Sequence, residues 1–195
     1  LRPRPRIVAA TASEGGLMAL HALLGDLPDD FDLPILVVQH PSAGLAAVMA
    51  EWLDDSTRFK VSIARDGDPL EPGRVYFAGE DKHLLVGPDD RVQVNRMTPH
   101  RGRRPSADLL FASVATHYGN EAVGLVLTGS VVDGLDGLGR LRDAGARVML
   151  QSEGTSLEFG LGAKVMARRL PDYVLPLDEL PLQLARFTRF PAKSC

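Results

Sequence analysis

The sequence predicts an α/β fold, a doubly wound and mostly parallel sheet with a small antiparallel β insertion. Three observations lead there. Continuous apolar runs of strand length alternate with helical patterns at the start of the chain. A middle block then breaks into short runs separated by turn residues, and the final third returns to alternation. Unbroken apolar runs suit strands buried on both faces of a parallel sheet, and strands alternating with helices give crossover units.

Ile7 to Ala10 reads as a first buried strand, and Leu17, Leu20, Leu23 and Leu24 recur at helical spacing after it. Pro34 to Gln39 is a second apolar strand, followed by a helix from about Leu45 to Leu53. In the middle block, Lys60 to Ala64, Val75 to Ala78, His83 to Val86 and Arg91 to Asn95 are short runs. The clusters Asp66-Gly67-Asp68-Pro69, Glu80-Asp81 and Gly87-Pro88-Asp89-Asp90 separate them. Such spacing predicts an antiparallel excursion of small strands. Ser106 is placed to N-cap a helix that reaches about His117. Ala122 to Leu127 is a strand, Gly134 to Asp143 a helix ended by Gly145, and Arg147 to Leu150 a strand. A short helix over Gly162 to Arg169, a strand Tyr173 to Leu175 and a helix from Leu177 to Arg186 close the chain. No repeat or low-complexity segment interrupts it.

The length suits one domain, assigned to residues 6–190. Residues 1–5, with Arg2-Pro3-Arg4-Pro5 among them, read as a linker-like stub from a longer parent chain. Hydrophobic residues at 45% and charged residues at 24% are ordinary for a globular protein, and a net charge of −3 supplies no general attraction for nucleic acid. The dense basic stretch His100, Arg101, Arg103 and Arg104 reads either as a solvated loop or as a hold on an anionic partner. A single cysteine, Cys195, can form no internal disulfide, and the five histidines show no metal-ligand spacing. No apolar run has the length of a membrane span and no signal peptide opens the chain, so the expected location is cytoplasmic, without membrane insertion.

Ligands of open α/β sheets bind at the carboxyl ends of the strands. Ser13 in Thr11-Ala12-Ser13-Glu14-Gly15-Gly16 follows the first strand, and His40 follows the second. Asp133 in Thr128-Gly129-Ser130-Val131-Val132-Asp133-Gly134 follows the strand over 122–127. These are the residue types of a nucleophile, a base and an orienting carboxylate. Ser13 would sit at a strand-to-helix turn where Gly15 and Gly16 let substrate approach backbone N–H groups able to hold an oxyanion. Each residue also has a plainer reading. A serine before Gly-Gly serves as an N-cap or phosphate-binding turn, a single histidine packs or hydrogen-bonds, and Asp-Gly opens a helix. The segment is not a GxSxG elbow.

In combination and in order, from about Ile7 to Leu184, these segments resemble the catalytic domain of CheB-type chemotaxis receptor methylesterases. The Ser13 segment is similar to the family's Ala-Ser-Thr-Gly-Gly, and Val37-Val38-Gln39-His40 to its histidine segment. Arg104-Pro105-Ser106-Ala107-Asp108-Leu109-Leu110-Phe111 is similar to its Arg-Pro-Ser-x-Asp-x-Leu-Phe, and the Asp133 loop to its Thr-Gly-Met-Gly-x-Asp-Gly. The resemblance implies a Ser13–His40–Asp133 triad, supported around the oxyanion by Glu14, Gly15 and Ser130, with Arg104 and Ser106 in the substrate cleft. It implies hydrolysis of glutamyl methyl esters, and in some members glutamine deamidation, on the helical signalling domain of a methyl-accepting chemosensory receptor. No metal or cofactor is implied, and a receiver domain is expected in the parent chain. The alternatives are a catalytically weak CheB-like binding module and a serine hydrolase acting on another ester.

The sequence departs from the family pattern at several points. Glu14 stands where the family has Thr, and an added carboxylate there favours the imidazolium form of His40. Ser130 stands where the family has Met and contributes its backbone N–H. Val131-Val132 replaces Gly-x and stiffens that loop. Phe159-Gly160-Leu161-Gly162 replaces Phe-Gly-Met-Pro, with Lys164 the nearest cation beyond it.

Overall fold

The computed structural model describes residues 2–40 and 44–189; Cys195, the lone thiol, lies outside them. Seven parallel strands form one sheet: β1 (Ile7–Ala12), β2 (Ile35–Gln39), β3 (Lys60–Ile63), β4 (Arg74–Phe77), β7 (Ala122–Val126), β8 (Arg147–Gln151) and β9 (Tyr173–Leu175), in the order β3-β4-β2-β1-β7-β8-β9. Two further strands, β5 (His83–Gly87) and β6 (Arg91–Asn95), form a separate antiparallel hairpin. The helices are α1 (Gly16–Asp26), α2 (Ala46–Ser56), α3 (Ala107–His117), α4 (Leu135–Asp143), α5 (Gly160–Ala167) and α6 (Leu180–Arg189).

Every residue of β1, β2 and β7 is buried, as the unbroken apolar runs require. Successive residues of β1 alternate between two separate cores. Ile7 and Ala9 join Leu110, Phe111, Leu138 and Leu141 on one face, while Val8 and Ala10 join Leu20, Leu23, Leu24 and Leu53 on the other. Helices α3 and α4 therefore cover one face and α1 and α2 the opposite one, which is the doubly wound arrangement. The period-2 geometry of a strand turns one apolar run into two interfaces. Truncating a Leu in either core to Ala costs roughly 2–5 kcal/mol.

The antiparallel excursion is smaller than the sequence predicts. Only β5 and β6 pair antiparallel; β3 and β4 pair parallel with each other, and β4 pairs parallel with β2. The β3 and β4 runs look like hairpin strands because they are short and flanked by turn residues. Their direction is set by the main sheet, which β4 enters between β2 and β3. The arginines that precede β1 fasten to the domain surface: Arg2 pairs with Asp172 at 2.8 Å, Arg4 with Asp32 at 2.6 Å and Arg6 with Asp90 at 2.7 Å. Among the described residues no helix is long and apolar enough to cross a membrane.

The chain leaves β1 to one side through α1 and β2, and reaches β7 on the other side through α3. The carboxyl ends of β2, β1 and β7 thus surround the point where strand order reverses, where open α/β sheets form their crevice.

Candidate active site

Ser13 follows β1 directly and is buried. The backbone turns there because Gly15, at the N-cap of α1, adopts φ +76°, a left-handed conformation that a residue with Cβ resists. Gln39 holds the turn from below, its Nε2 donating to the Ser13 carbonyl at 2.7 Å. Gly129 makes room for the side chain, because a Cβ there would stand 2.0 Å from Ser13 Oγ. The glycine of Thr128-Gly129-Ser130 is thus required by close approach to the serine of a distant segment.

His40 and Asp133 come from strands on either side of β1. His40 Nε2 donates to Asp133 Oδ2 at 2.9 Å, with side-chain exposures of 12% and 3%. Asp133 is held from every side. Its Oδ2 also accepts the Ala107 N–H at 2.6 Å, while Oδ1 accepts the Ser106 hydroxyl at 3.0 Å and the Asp108 N–H at 3.3 Å. Burial by itself raises the pKa of this carboxyl. The bonds from His40 and from the amides at the start of α3 outweigh burial and leave the pKa below the ordinary aspartate value. With Nε2 engaged by the Asp133 carboxylate, Nδ1 is the ring nitrogen left to accept a proton.

Ser106 occupies the N-cap position of α3, as its sequence context predicts, but its side chain makes no capping bond. The hydroxyl donates to Asp133 instead, and Asp133 accepts the first amides of the helix in its place. The cap of α3 is a carboxylate from 27 residues away in sequence.

The nucleophile end is arranged differently. Ser13 Oγ donates to Glu14 Oε2 at 2.6 Å, and among the described residues no hydrogen bond joins it to His40. Glu14 Oε2 also accepts the Ser130 N–H at 2.8 Å, and Oε1 accepts the Ser130 hydroxyl at 2.9 Å. The hydrogen bond from Ser13, followed by that from the Ser130 amide, holds the Glu14 carboxyl down at about 2. Its hydrogen bonds are thus to the serine and the oxyanion loop rather than to the imidazole. The Val131 N–H points at Ser13 Oγ, 3.2 Å away.

Ser13, Glu14, Gly15 and His40 share one cleft of about 600 Å³ with Leu17, Met18, Met49 and Arg103. Arg103 is the arginine on its wall. Arg104 pairs with Asp81 and donates to the Met97 carbonyl at 3.0 Å, bracing the loop that carries Ser106. Arg101 pairs with Asp136 at 2.6 Å, so the basic stretch is largely spent on internal ties. Two supports escaped the sequence reading. Gln151 Oε1 accepts the Thr128 N–H at 2.9 Å, and Thr128 Oγ1 donates to the Glu14 carbonyl at 3.0 Å. Their only signal was their position at strand ends, which they share with ordinary polar residues. Among the described residues no group of three or more His, Cys, Asp or Glu side chains is placed to hold a metal ion.

An open parallel sheet with serine, histidine and aspartate at three adjacent carboxyl ends has the layout of an α/β serine hydrolase. The CheB methylesterase family profile matches residues 8–184, and the chain belongs to that family. A protein-glutamate methylesterase/protein-glutamine glutaminase of Myxococcus xanthus is 42% identical over 181 residues, covering 93% of this chain and 51% of the relative. A second, from Anaeromyxobacter dehalogenans, is 41% identical over 186 residues, covering 95% and 54%. The chain thus spans about half the length of these relatives. The crystal structure of the Thermotoga maritima CheB methylesterase catalytic domain matches with a TM-score of 0.88 at 30% identity, covering 93% of this chain and 98% of that one.

Proposed function

We propose that this chain hydrolyses glutamyl methyl esters on the helical signalling domain of a methyl-accepting chemosensory receptor, and deamidates glutamine by the same route. The observation that carries the reading is the hydrogen-bonded His40–Asp133 pair beside Ser13 at the strand-order reversal. Family membership and the names of its relatives support the substrate class.

The proposed route uses the groups gathered in the cleft. Substrate enters the cleft and displaces the Glu14 carboxylate, which frees the Ser13 hydroxyl and the Ser130 N–H. Ser13 Oγ attacks the ester carbonyl carbon and its proton passes to His40 Nδ1. The carbonyl electron pair collects on oxygen, within reach of backbone N–H donors of the Ser130–Val131 loop. Asp133 stabilises the imidazolium through Nε2. Collapse expels the methoxy group, which takes the proton from His40 and leaves as methanol; from glutamine the amide nitrogen takes that proton and leaves as ammonia. Water then repeats the sequence on the acyl-serine and releases glutamate. The route as written uses side chains and backbone groups of this chain together with water. The reading carries a cytoplasmic location with it, and a receiver domain as the regulatory partner in the parent chain.

Methanol release from a methylated receptor fragment tests the reading. Ser13→Ala is expected to lower the rate by about a thousandfold or more without shifting the unfolding midpoint. Undiminished release from that variant would reject Ser13 as nucleophile.

A further inference from the structure

A second and larger groove, of about 790 Å³, lies along the edge strand β3, between the sheet and the open end of the β5–β6 hairpin. Its cations are Lys60, Arg65, Arg74, Lys82 and Arg96. Two carboxylates share the wall, and both are bound to backbone: Asp66 accepts the Val94 N–H at 2.9 Å and Asp68 the Arg65 N–H at 3.0 Å. Lys60 and Arg74 have partners, Asp54 at 2.6 Å and Glu71 at 2.7 Å. Arg65, Lys82 and Arg96 have no ion pair among the described residues, and the buried Arg74 Nε has no acceptor. Asp54 and Glu71 offset Lys60 and Arg74, so the unpaired Arg65, Lys82 and Arg96 against Asp66 and Asp68 leave a small local excess of positive charge on a chain whose net charge is −3. Three cations without ion-pair partners in one groove complement an anionic occupant.

Position decides which anion. Arg65 follows β3 and Lys82 lies in the loop after β4, so both stand on the carboxyl rim that carries His40 and Ser13. The strand order places β4 two strands and β3 three strands from β1, which carries Ser13. At about 4.8 Å per strand, the groove begins roughly 10 to 14 Å from Ser13. A helix rises about 1.5 Å per residue, so roughly 10 Å along it is about seven residues, two turns, which returns to the same face.

We propose that this groove is a docking site for carboxylates of the substrate protein: Arg65, Lys82 and Arg96 hold acidic side chains about two helical turns from the glutamyl group presented to Ser13. The proposal rests on the methylesterase reading for the identity of the substrate, and it adds a determinant of which glutamate is selected. Unmodified neighbouring glutamates become anchors, so a partly demethylated helix binds more tightly than a fully neutral one.

The test is a binding titration, separate from turnover. The chain carrying Ser13→Ala is titrated by fluorescence anisotropy with a labelled helical peptide. The peptide carries one glutamyl methyl ester and glutamates seven residues to either side. A second peptide has glutamines at the flanking positions. The acidic peptide is expected to bind about tenfold more tightly, and the advantage to fade as salt rises from about 50 to about 500 mM. Arg65→Glu/Lys82→Glu/Arg96→Glu should remove the advantage. The milder Lys82→Gln/Arg96→Gln should reduce it, which guards against a misfolded triple variant. Equal binding of the two peptides overturns the proposal, as does an unchanged advantage in both variants. Tighter, groove-dependent binding of an RNA oligonucleotide or of inorganic polyphosphate overturns it as well. Hydrolysis of a small neutral glutamyl methyl ester by the chain with Ser13 intact reports on the methylesterase reading alone. The triple variant should match the parent chain there, and failure of that assay leaves the binding comparison to decide the groove.

Discussion

The two halves of the candidate active site are built to different standards. The Asp133 half is complete: a buried carboxylate accepts from His40, Ser106, Ala107 and Asp108. The Ser13 half is held in a competing arrangement, with the hydroxyl proton given to Glu14 and the Ser130 amide taken by the same carboxylate. The difference teaches that orienting the base and arming the nucleophile are separable tasks. The first is fixed by the folding of α3 against the β7 loop. The second depends on an exposed side chain that must first give up its bonds to Ser13 and Ser130.

Breaking the completed half should have the largest effect. Asp133→Ala leaves a histidine, a serine hydroxyl and two backbone amides without their acceptor. It is expected to cost about 3 kcal/mol in urea unfolding and to lower methanol release about a thousandfold or more. Because the Asp133 pKa is lowered by folding, its carboxylate contributes stability above the unfolded value of about 3.9, and that contribution is lost as pH falls through the folded value. The acid limb of the midpoint-against-pH curve should therefore be shallower in the variant. An equally steep limb would assign the acid sensitivity to other carboxyls.

Releasing the competing half is expected to act in the opposite direction. Glu14→Thr frees Ser13 Oγ and the Ser130 N–H and should raise kcat/KM about tenfold. With its pKa near 2, Glu14 is ionised from pH 5 to 9, so the substitution should change the height of the pH–rate profile and not its shape. A lowered rate would show that the carboxylate assists the reaction. The smallest effect belongs to Ser106→Ala, which deletes one of the four bonds to Asp133. A loss of about 1 kcal/mol in stability is expected, with a rate reduction of about tenfold or less. A larger loss would mean that Ser106 alone sets the carboxylate's orientation.

Much of this architecture is legible in the residues. Ile7 to Ala10, Pro34 to Gln39 and Ala122 to Leu127 are apolar without alternation, and only a strand covered on both faces buries such runs. Ser13, His40 and Asp133 are legible because each stands just past the carboxyl end of one of those strands. The direction of β3 and β4 was not legible, because short runs between turns look alike whether they close a hairpin or slot into a parallel sheet. Nor was the cap of α3: local pattern assigned it to Ser106, and Asp133 outcompetes a hydroxyl because it brings a full charge to two amides at once.

The sequence by itself determined the layers, the strands that end in chemistry and the identity of the residues standing there. These follow from local periodicity and from where apolar runs stop. Only the tertiary structure decided that Glu14 turns onto Ser13 and Ser130, that Asp133 reaches His40 across 93 positions and that five cations from four separate segments line one groove. The physical reason is common to all three. Hydrogen bonds and charges act over a few ångströms of space, and chain separation says nothing about that distance until the strand order is set.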